Sequence, residues 1–277
     1  MNDFIPVNVP ILTGNEKKYV NECIDTGWIS SEGPFVERFE AAFAARVGRK
    51  YGIAVSNGTA ALDVAVGALG IEEGDEVILP TFTIISCAQA IVRAGAVPIV
   101  VDSDPNTWNM DVSEVEAKIT PRTVAIMIVH IYGLPVDMGA IYKIAKKHNI
   151  KVIEDAAEAI GLKYKGQECG SFGDISTFSF YPNKHITTGE GGMVLTDDPY
   201  VAERCRKLRN LCFVPERRFV HEELGWNYRL TNMQAAIGLA QLEKIDEHLD
   251  KKRHIGQYYN TLLDGISGVQ LPIPSVP

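Results

Sequence analysis

From residue 51 onward, apolar positions along the chain alternate between two patterns. Short unbroken runs such as YGIAVS, EVILP, AVPIVV and TVAIMIV are separated by stretches in which apolar residues recur every three to four positions, such as GTAALDVAVGALG, TIISCAQAIVRAG and DMGAIYKIAKKHN. An unbroken run predicts a strand buried on both faces, and the wider spacing predicts a helix with one covered side. IKVIEDAA, TFSFY and GGMVLTD continue the series as strands, VSEVEAKI and DPYVAERCRKLRN as helices. Strands separated by helices predict an α/β fold, a mainly parallel central sheet with helices on both faces. Near the end, TNMQAAIGLAQLEKIDEHLDKKRHIGQYYNTLLDGI predicts one long amphipathic helix, and SGVQLPIPSVP begins something extended.

Parallel sheets place their sites beyond the strands' carboxyl ends. That rule directs attention to three positions. Asp155 ends one apolar run, Asn57 follows a second, and Lys184 follows a third.

Composition narrows the chemistry. The 277 residues suffice for one large domain or one and a half, with 46% hydrophobic and 22% charged residues, the profile of a globular chain. A net charge of -8 argues against nucleic acid as a partner, since a phosphate backbone needs clustered Lys and Arg. No apolar run approaches the roughly 18 residues of a membrane span. The start, MNDFIPVNVP, lacks the basic and apolar regions of a signal peptide, so the cytoplasm is the expected location. Five cysteines without a C-x-x-C pair, and six histidines without ligand spacing, predict neither a disulfide framework nor a metal. No G-x-G-x-x-G follows the early strands, which excludes a dinucleotide-binding dehydrogenase.

Three pieces carry chemistry. SNGTAAL is a strand, a glycine-bearing turn and a helix start, where exposed N–H groups and the helix dipole favour a phosphate; N-G with Ser or Thr also serves simply as turn and cap. In VIEDAAEAIG, Asp155 is a cap, a metal ligand or the counter-charge of a cationic ring nitrogen. Lys184 sits in a Pro-Asn-Lys turn between an aromatic strand and the small residues TTGEGG. An amine held in a dry, electropositive place loses its proton and can form a Schiff base. A phosphate cup, a carboxylate for a pyridinium and a Schiff-base lysine together match the needs of pyridoxal phosphate.

SNGTAALDVAV, the strand ending in EDAAEAIG, FSFYPNKHITTGEGGMV and GWNYRLTNMQAAIG resemble the DegT/DnrJ/EryC1/StrS family of pyridoxal-phosphate sugar aminotransferases. The resemblance begins at GWISSEGPFVERFE and spans almost the whole chain. It implies the aspartate-aminotransferase fold (fold type I), with pyridoxal 5′-phosphate as cofactor and L-glutamate as amino donor. The acceptor it implies is the C4 ketone of a nucleotide-linked 4-keto-6-deoxyhexose, in particular GDP-4-keto-6-deoxymannose. It also implies a large cofactor-binding domain over 1–245 that includes an N-terminal helical segment. Residues 246–277 would then form a linking helix and the start of a smaller C-terminal domain.

Carried over by position, Lys184 is the Schiff-base lysine and Asp155 the partner of the pyridine nitrogen. Gly58, Thr59 and Ser179 hold the cofactor phosphate, and Asn227 reaches it from the neighbouring subunit of a homodimer with shared active sites. Arg229 supports that interface or binds a carboxylate, and His185 contacts substrate or packs. Two positions depart from the family pattern. Glu158 stands where many relatives carry His or Gln near the cofactor's phenolic oxygen, and a second carboxylate there needs a partner or a proton. Ile84, in PTFTI, stands where an aromatic residue usually stacks on the ring. Relatives with histidine in place of the lysine dehydrate sugars; retention of Lys184 favours amino transfer. A non-catalytic regulatory protein that binds the cofactor is the rival from another class, and retention of Lys184, Asp155 and Ser179 together speaks against it.

Overall fold

In the computed structural model, residues 4–214, 217 and 219–273 are described. Two helices, α1 (Glu16–Thr26) and α2 (Pro34–Val47), precede β1 (Tyr51–Val55) and α3 (Gly58–Ala68). Then come β2 (Glu76–Pro80), α4 (Ile85–Arg93), β3 (Val97–Val101), the short α5 (Val112–Val115) and β4 (Thr123–Val129). They are followed by α6 (Met138–His148), β5 (Lys151–Asp155), a small hairpin of β6 (Lys163–Tyr164) and β7 (Gln167–Glu168), β8 (Ile175–Ser179) and β9 (Gly192–Thr196). Three helices close the order: α7 (Pro199–Arg209), α8 (Asn232–Glu243) and α9 (Ile245–Leu263).

Seven strands form one sheet in the order β1-β9-β8-β5-β4-β2-β3. Every pairing is parallel except those of β9, which runs antiparallel to both β1 and β8. The mainly parallel sheet expected from the unbroken apolar runs is therefore present, with one reversed strand. Alternate residues of each strand feed opposite faces, as the pleat requires. Ile53, Val77, Leu79, Ala125 and Met127 pack under α3, α4 and α7. Ala54, Met193 and Leu195 meet the phenylalanines of α2 and the small residues of α8, and Ile78, Ile126 and Ile128 meet α6. Both faces are covered along the inner strands, and that is why they carry so little polar alternation; the edge strand β3 departs from the expectation, since its Val97 and Val100 are exposed although its run is equally apolar.

Local signals set the helix ends. In α6 the Asp137 side chain accepts the Ala140 N–H, and Asn149, at φ 53, closes the helix after Lys146, Lys147 and His148. A capping box joins Thr231 to Gln234 at the start of α8. The expected single long helix is corrected here: it is two helices, broken at Lys244, whose φ is -111 and ψ 9. α8 is buried along most of its length, whereas α9 buries only Ile245, His248 and Leu249 near its start. An apolar period that persists across one residue of non-helical backbone looks continuous in sequence. The β6–β7 hairpin is likewise absent from the pattern, since two-residue strands carry no period. Among the described residues, no helix is long and apolar enough to cross a membrane.

Candidate active site

The sheet's connections bring four chain segments to one end. Parallel pairing sets Asp155, the last residue of β5, opposite Thr177 of β8. Two residues on, β8 ends at Ser179, which faces Gly192, the first residue of the reversed strand β9. The segment from β8 to β9 is thus the loop of a hairpin rather than a helical crossover, and it carries Lys184 in a turn closed by its N–H to the Tyr181 carbonyl, 2.9 Å. On the other side β1 runs through Asn57 into α3, and the Asn57 side chain accepts the Ala60 N–H at 2.8 Å. That cap leaves the Gly58 and Thr59 N–H groups of the first turn without intrahelical acceptors.

These segments enclose a cavity of about 420 Å³. Gly58, Thr59, Ile84, Asp155, Glu158, Ser179 and Lys184 all line it. Gly58 lies so close to β8 that a Cβ built on it would stand 2.9 Å from the Ser179 Cβ. The Thr59 and Ser86 hydroxyls are 2.8 Å apart. Ile84, the N-cap residue of α4, is 60% exposed and forms part of the wall.

Asp155 is buried, and burial raises its pKa from the usual carboxylate value, opposed by the Ala157 N–H, the Cys87 thiol and the Lys184 charge. Lys184 Nζ is 3.2 Å from Glu158 Oε1, and Glu158 Oε2 accepts the Tyr132 N–H at 2.8 Å. The partner that a second carboxylate requires at position 158 is therefore Lys184 itself. The Thr177 hydroxyl is buried, in a residue that lines the cavity, and has no hydrogen-bond partner among the described residues.

A family model, the DegT/DnrJ/EryC1/StrS aminotransferase family, matches residues 10–275. This chain belongs to that family. The GDP-perosamine synthase of Escherichia coli O157:H7 is 53% identical over 263 residues, which are 95% of this chain and 72% of that protein. The aminotransferase TlmJ from Streptoalloteichus hindustanus superposes with a TM-score of 0.93 at 34% identity, over 99% of this chain and 75% of that one. A sugar aminotransferase from Streptococcus pneumoniae, solved in its PLP-form, superposes with a TM-score of 0.88 at 27% identity, over 94% of this chain and 72% of that one. Like its family, this aminotransferase uses pyridoxal 5′-phosphate. The cavity fits that group on three counts: a cradle at Gly58 that a Cβ would fill, a buried carboxylate, and an orphaned hydroxyl at Thr177.

Three expected residues lie elsewhere in this aminotransferase chain. His185 lines a neighbouring cavity with Lys251, Lys252 and His248, and its Nδ1 is buried without a partner among the described residues. Burial, with the charges of Lys252 and Lys184, lowers its pKa to about 4. Asn227 forms a β-bridge with Asn210. Arg229 donates to the Asn210 side chain at 2.8 Å and lines a charged cleft with Glu37, Glu40 and Arg209. Sequence reasoning passed over Thr177, Thr83 and Ser86 of the cavity wall. Thr177 had a usable signal, since strand period two puts it on the face that Ser179 occupies. Another cluster, His130, Glu154 and Cys169, is buried together. There His130 Nδ1 accepts the Val136 N–H at 3.0 Å, Nε2 meets Glu154 at 2.9 Å, and Glu154 also accepts from Gly170 and Phe172. The ring nitrogens of His130 and the Glu154 carboxylate are thus engaged within the fold.

Proposed function

We propose that this chain transfers the amino group of L-glutamate to the C4 ketone of GDP-4-keto-6-deoxy-D-mannose, giving GDP-perosamine. The observation that carries the reading is that Lys184 and Asp155 line one cavity at the carboxyl end of the sheet. The name of the Escherichia coli relative supports the choice of sugar. When bound, pyridoxal phosphate supplies an electron-poor ring and carries nitrogen from donor to acceptor.

Asp155 would pair with the ring nitrogen and keep it charged, since a carboxylate in a dry pocket favours a cation beside it. The α3 amino terminus, through Gly58 and Thr59, and the Ser179 hydroxyl hold the phosphate. Ile84 would cover one ring face with aliphatic bulk, a contact with less geometric preference than an aromatic pair. Nζ of Lys184 removes the proton from the glutamate α-carbon and delivers one to C4 of the sugar. Glu158 holds that amine at 3.2 Å and is itself held by the Tyr132 N–H, so the carboxylate stays in place while Nζ moves. Two chains form each pair of sites, with Asn227 reaching the neighbour's phosphate and Arg229 supporting the contact.

Protein loaded with pyridoxal phosphate and given L-glutamate and GDP-4-keto-6-deoxy-D-mannose is expected to yield GDP-perosamine and one 2-oxoglutarate per sugar, read by mass spectrometry. Lys184→Ala is expected to yield neither and to lose the visible absorption of the lysine-linked cofactor. Undiminished turnover by Lys184→Ala overturns the mechanism. Amination of a different nucleotide ketosugar in preference to this one overturns the choice of substrate.

A further inference from the structure

We propose that Cys87 is a positioning residue for Asp155: its thiol donates to one carboxylate oxygen and fixes the plane in which Asp155 meets the cofactor ring. The inference rests on the reading of Asp155 given above.

Cys87 lies in α4, fully buried, with Sγ 3.3 Å from Asp155 Oδ2. On its other side, Sγ is 3.3 Å from the Thr83 hydroxyl, and Thr83 lines the cavity. A thiol has one hydrogen. An ionised Asp155 can only accept, so the S–H points at Oδ2 and the Thr83 hydroxyl donates to sulfur. The other carboxylate oxygen, Oδ1, accepts the Ala157 N–H at 3.0 Å. Among the described residues each oxygen therefore has one donor, and the two donors belong to different elements, α4 and the turn after β5. Together they stop rotation of the carboxylate about its Cβ–Cγ bond, leaving its remaining lone pairs for the cavity.

The thiol is suited to that role because it stays protonated. Burial and the adjacent Asp155 charge both push its pKa well above the ordinary value, so it neither becomes a thiolate nor repels the carboxylate. The other charged groups acting on Asp155 are Lys184, which lowers its pKa, and Glu158, which raises it; they engage each other at 3.2 Å. A neutral donor on Oδ2 adds hydrogen-bond support to the carboxylate without a competing cation. That matters for a group meant to pair with a ring nitrogen.

The test uses the protein with pyridoxal phosphate alone, without sugar, so it does not depend on the substrate. Three variants separate donor from bulk: Cys87→Ser keeps a donor, Cys87→Val keeps bulk without one, and Cys87→Ala keeps neither. Two readouts are followed, the cofactor dissociation constant and the midpoint of the pH titration of the bound cofactor's visible absorption. The expectation for Ala and Val is an affinity about threefold to fivefold weaker, the scale of one neutral hydrogen bond. The midpoint should also move to higher pH, because a ring nitrogen held less firmly as a cation repels the titrating proton less. Cys87→Ser should keep both values near the parent. Unchanged affinity and midpoint in Cys87→Ala and Cys87→Val overturn the proposal, as does a Ser variant that behaves like Ala. Asp155→Asn is the control. If it shifts the midpoint and the cysteine variants do not, only the Cys87 role fails; if it also leaves the midpoint unmoved, the Asp155 reading falls with it.

Discussion

Thr177 is 1% exposed, and its hydroxyl is unpaired among the described residues, an arrangement that ordinarily costs about 1–3 kcal/mol. It pairs with Asp155 on the adjacent strand and lines the same cavity. A bound cofactor can supply the missing partner. Thr177→Val should therefore act with opposite signs on the two states: the unliganded protein melts about 2–5 °C higher, and cofactor affinity falls about fivefold. Calorimetry of unliganded protein and a cofactor titration check this; a loss of unliganded stability would show that the hydroxyl serves the fold. His185 poses a second question at this scale. Its pKa is lowered from 6.5 to about 4 by burial first, then by Lys252 and Lys184. Between those values the unfolded chain holds a proton that the folded chain does not, so stability is full above about pH 6.5 and is lost as pH falls toward 4. The difference amounts to roughly 3 kcal/mol. His185→Gln should flatten that part of the stability profile, measured by urea unfolding at pH 7 and pH 5; an unchanged slope would count against a buried neutral imidazole.

At the scale of elements, the site depends on α3 and β8 approaching without a side chain between them. α3·β8 contact runs through Gly58, where an added Cβ would meet the Ser179 Cβ at 2.9 Å. Alanine is favoured over glycine inside a helix by about 1 kcal/mol, so the substitution would be welcome on propensity alone. Here the obstructing atom belongs to a strand and has no flexible end to give way. Gly58→Ala should weaken cofactor binding by about tenfold or more, the effect of about 1.4 kcal/mol, while the far-ultraviolet circular dichroism keeps its α/β shape. Equal affinity in the variant would mean that the phosphate is held elsewhere. The reversal at β9 is the other element-level device. It turns the segment after β8 back at the cavity mouth and seats Gly192 beside both Val55 and Ser179. A helical crossover from β8 would carry Lys184 away from Asp155.

At the scale of the whole molecule, two of the three expected residues that stay out of the cavity lie together: Arg229 lines the cleft of Glu37, Glu40 and Arg209, and Asn227 bridges to Asn210 of the same cleft. This placement suits a role toward a second chain. If Asn227 serves the neighbour's phosphate, Lys184→Ala and Asn227→Ala damage different halves of a shared site. Each variant homodimer is impaired at both sites, because two-fold symmetry repeats the lesion. In a heterodimer of the two, one site collects both lesions and the other neither, so activity should rise toward half of the parent value per heterodimer. Subunit exchange followed by mass spectrometry of mixed dimers, with activity read on the same sample, checks this. Confirmed exchange with activity no higher than in the variants would place Asn227 in its own chain's site.

The sheet, its burial on both faces and the carboxyl-end location of the site were legible in the chain, because strand burial writes itself as unbroken apolar runs. Lys184, Asp155 and the Gly58 turn were legible as candidates for the same reason: each stands where a run ends. Tertiary structure alone decided which groups meet them. Glu158 finds Lys184 across 26 positions and Cys87 finds Asp155 across 68; such pairings are set by strand order and helix docking, which leave no local period. The break at Lys244 and the reversal of β9 also escaped the pattern, since hydrophobic spacing records which residues are buried but not the direction in which the backbone runs. A sequence specifies burial residue by residue, whereas the partners of a buried polar atom depend on the packing of several segments at once.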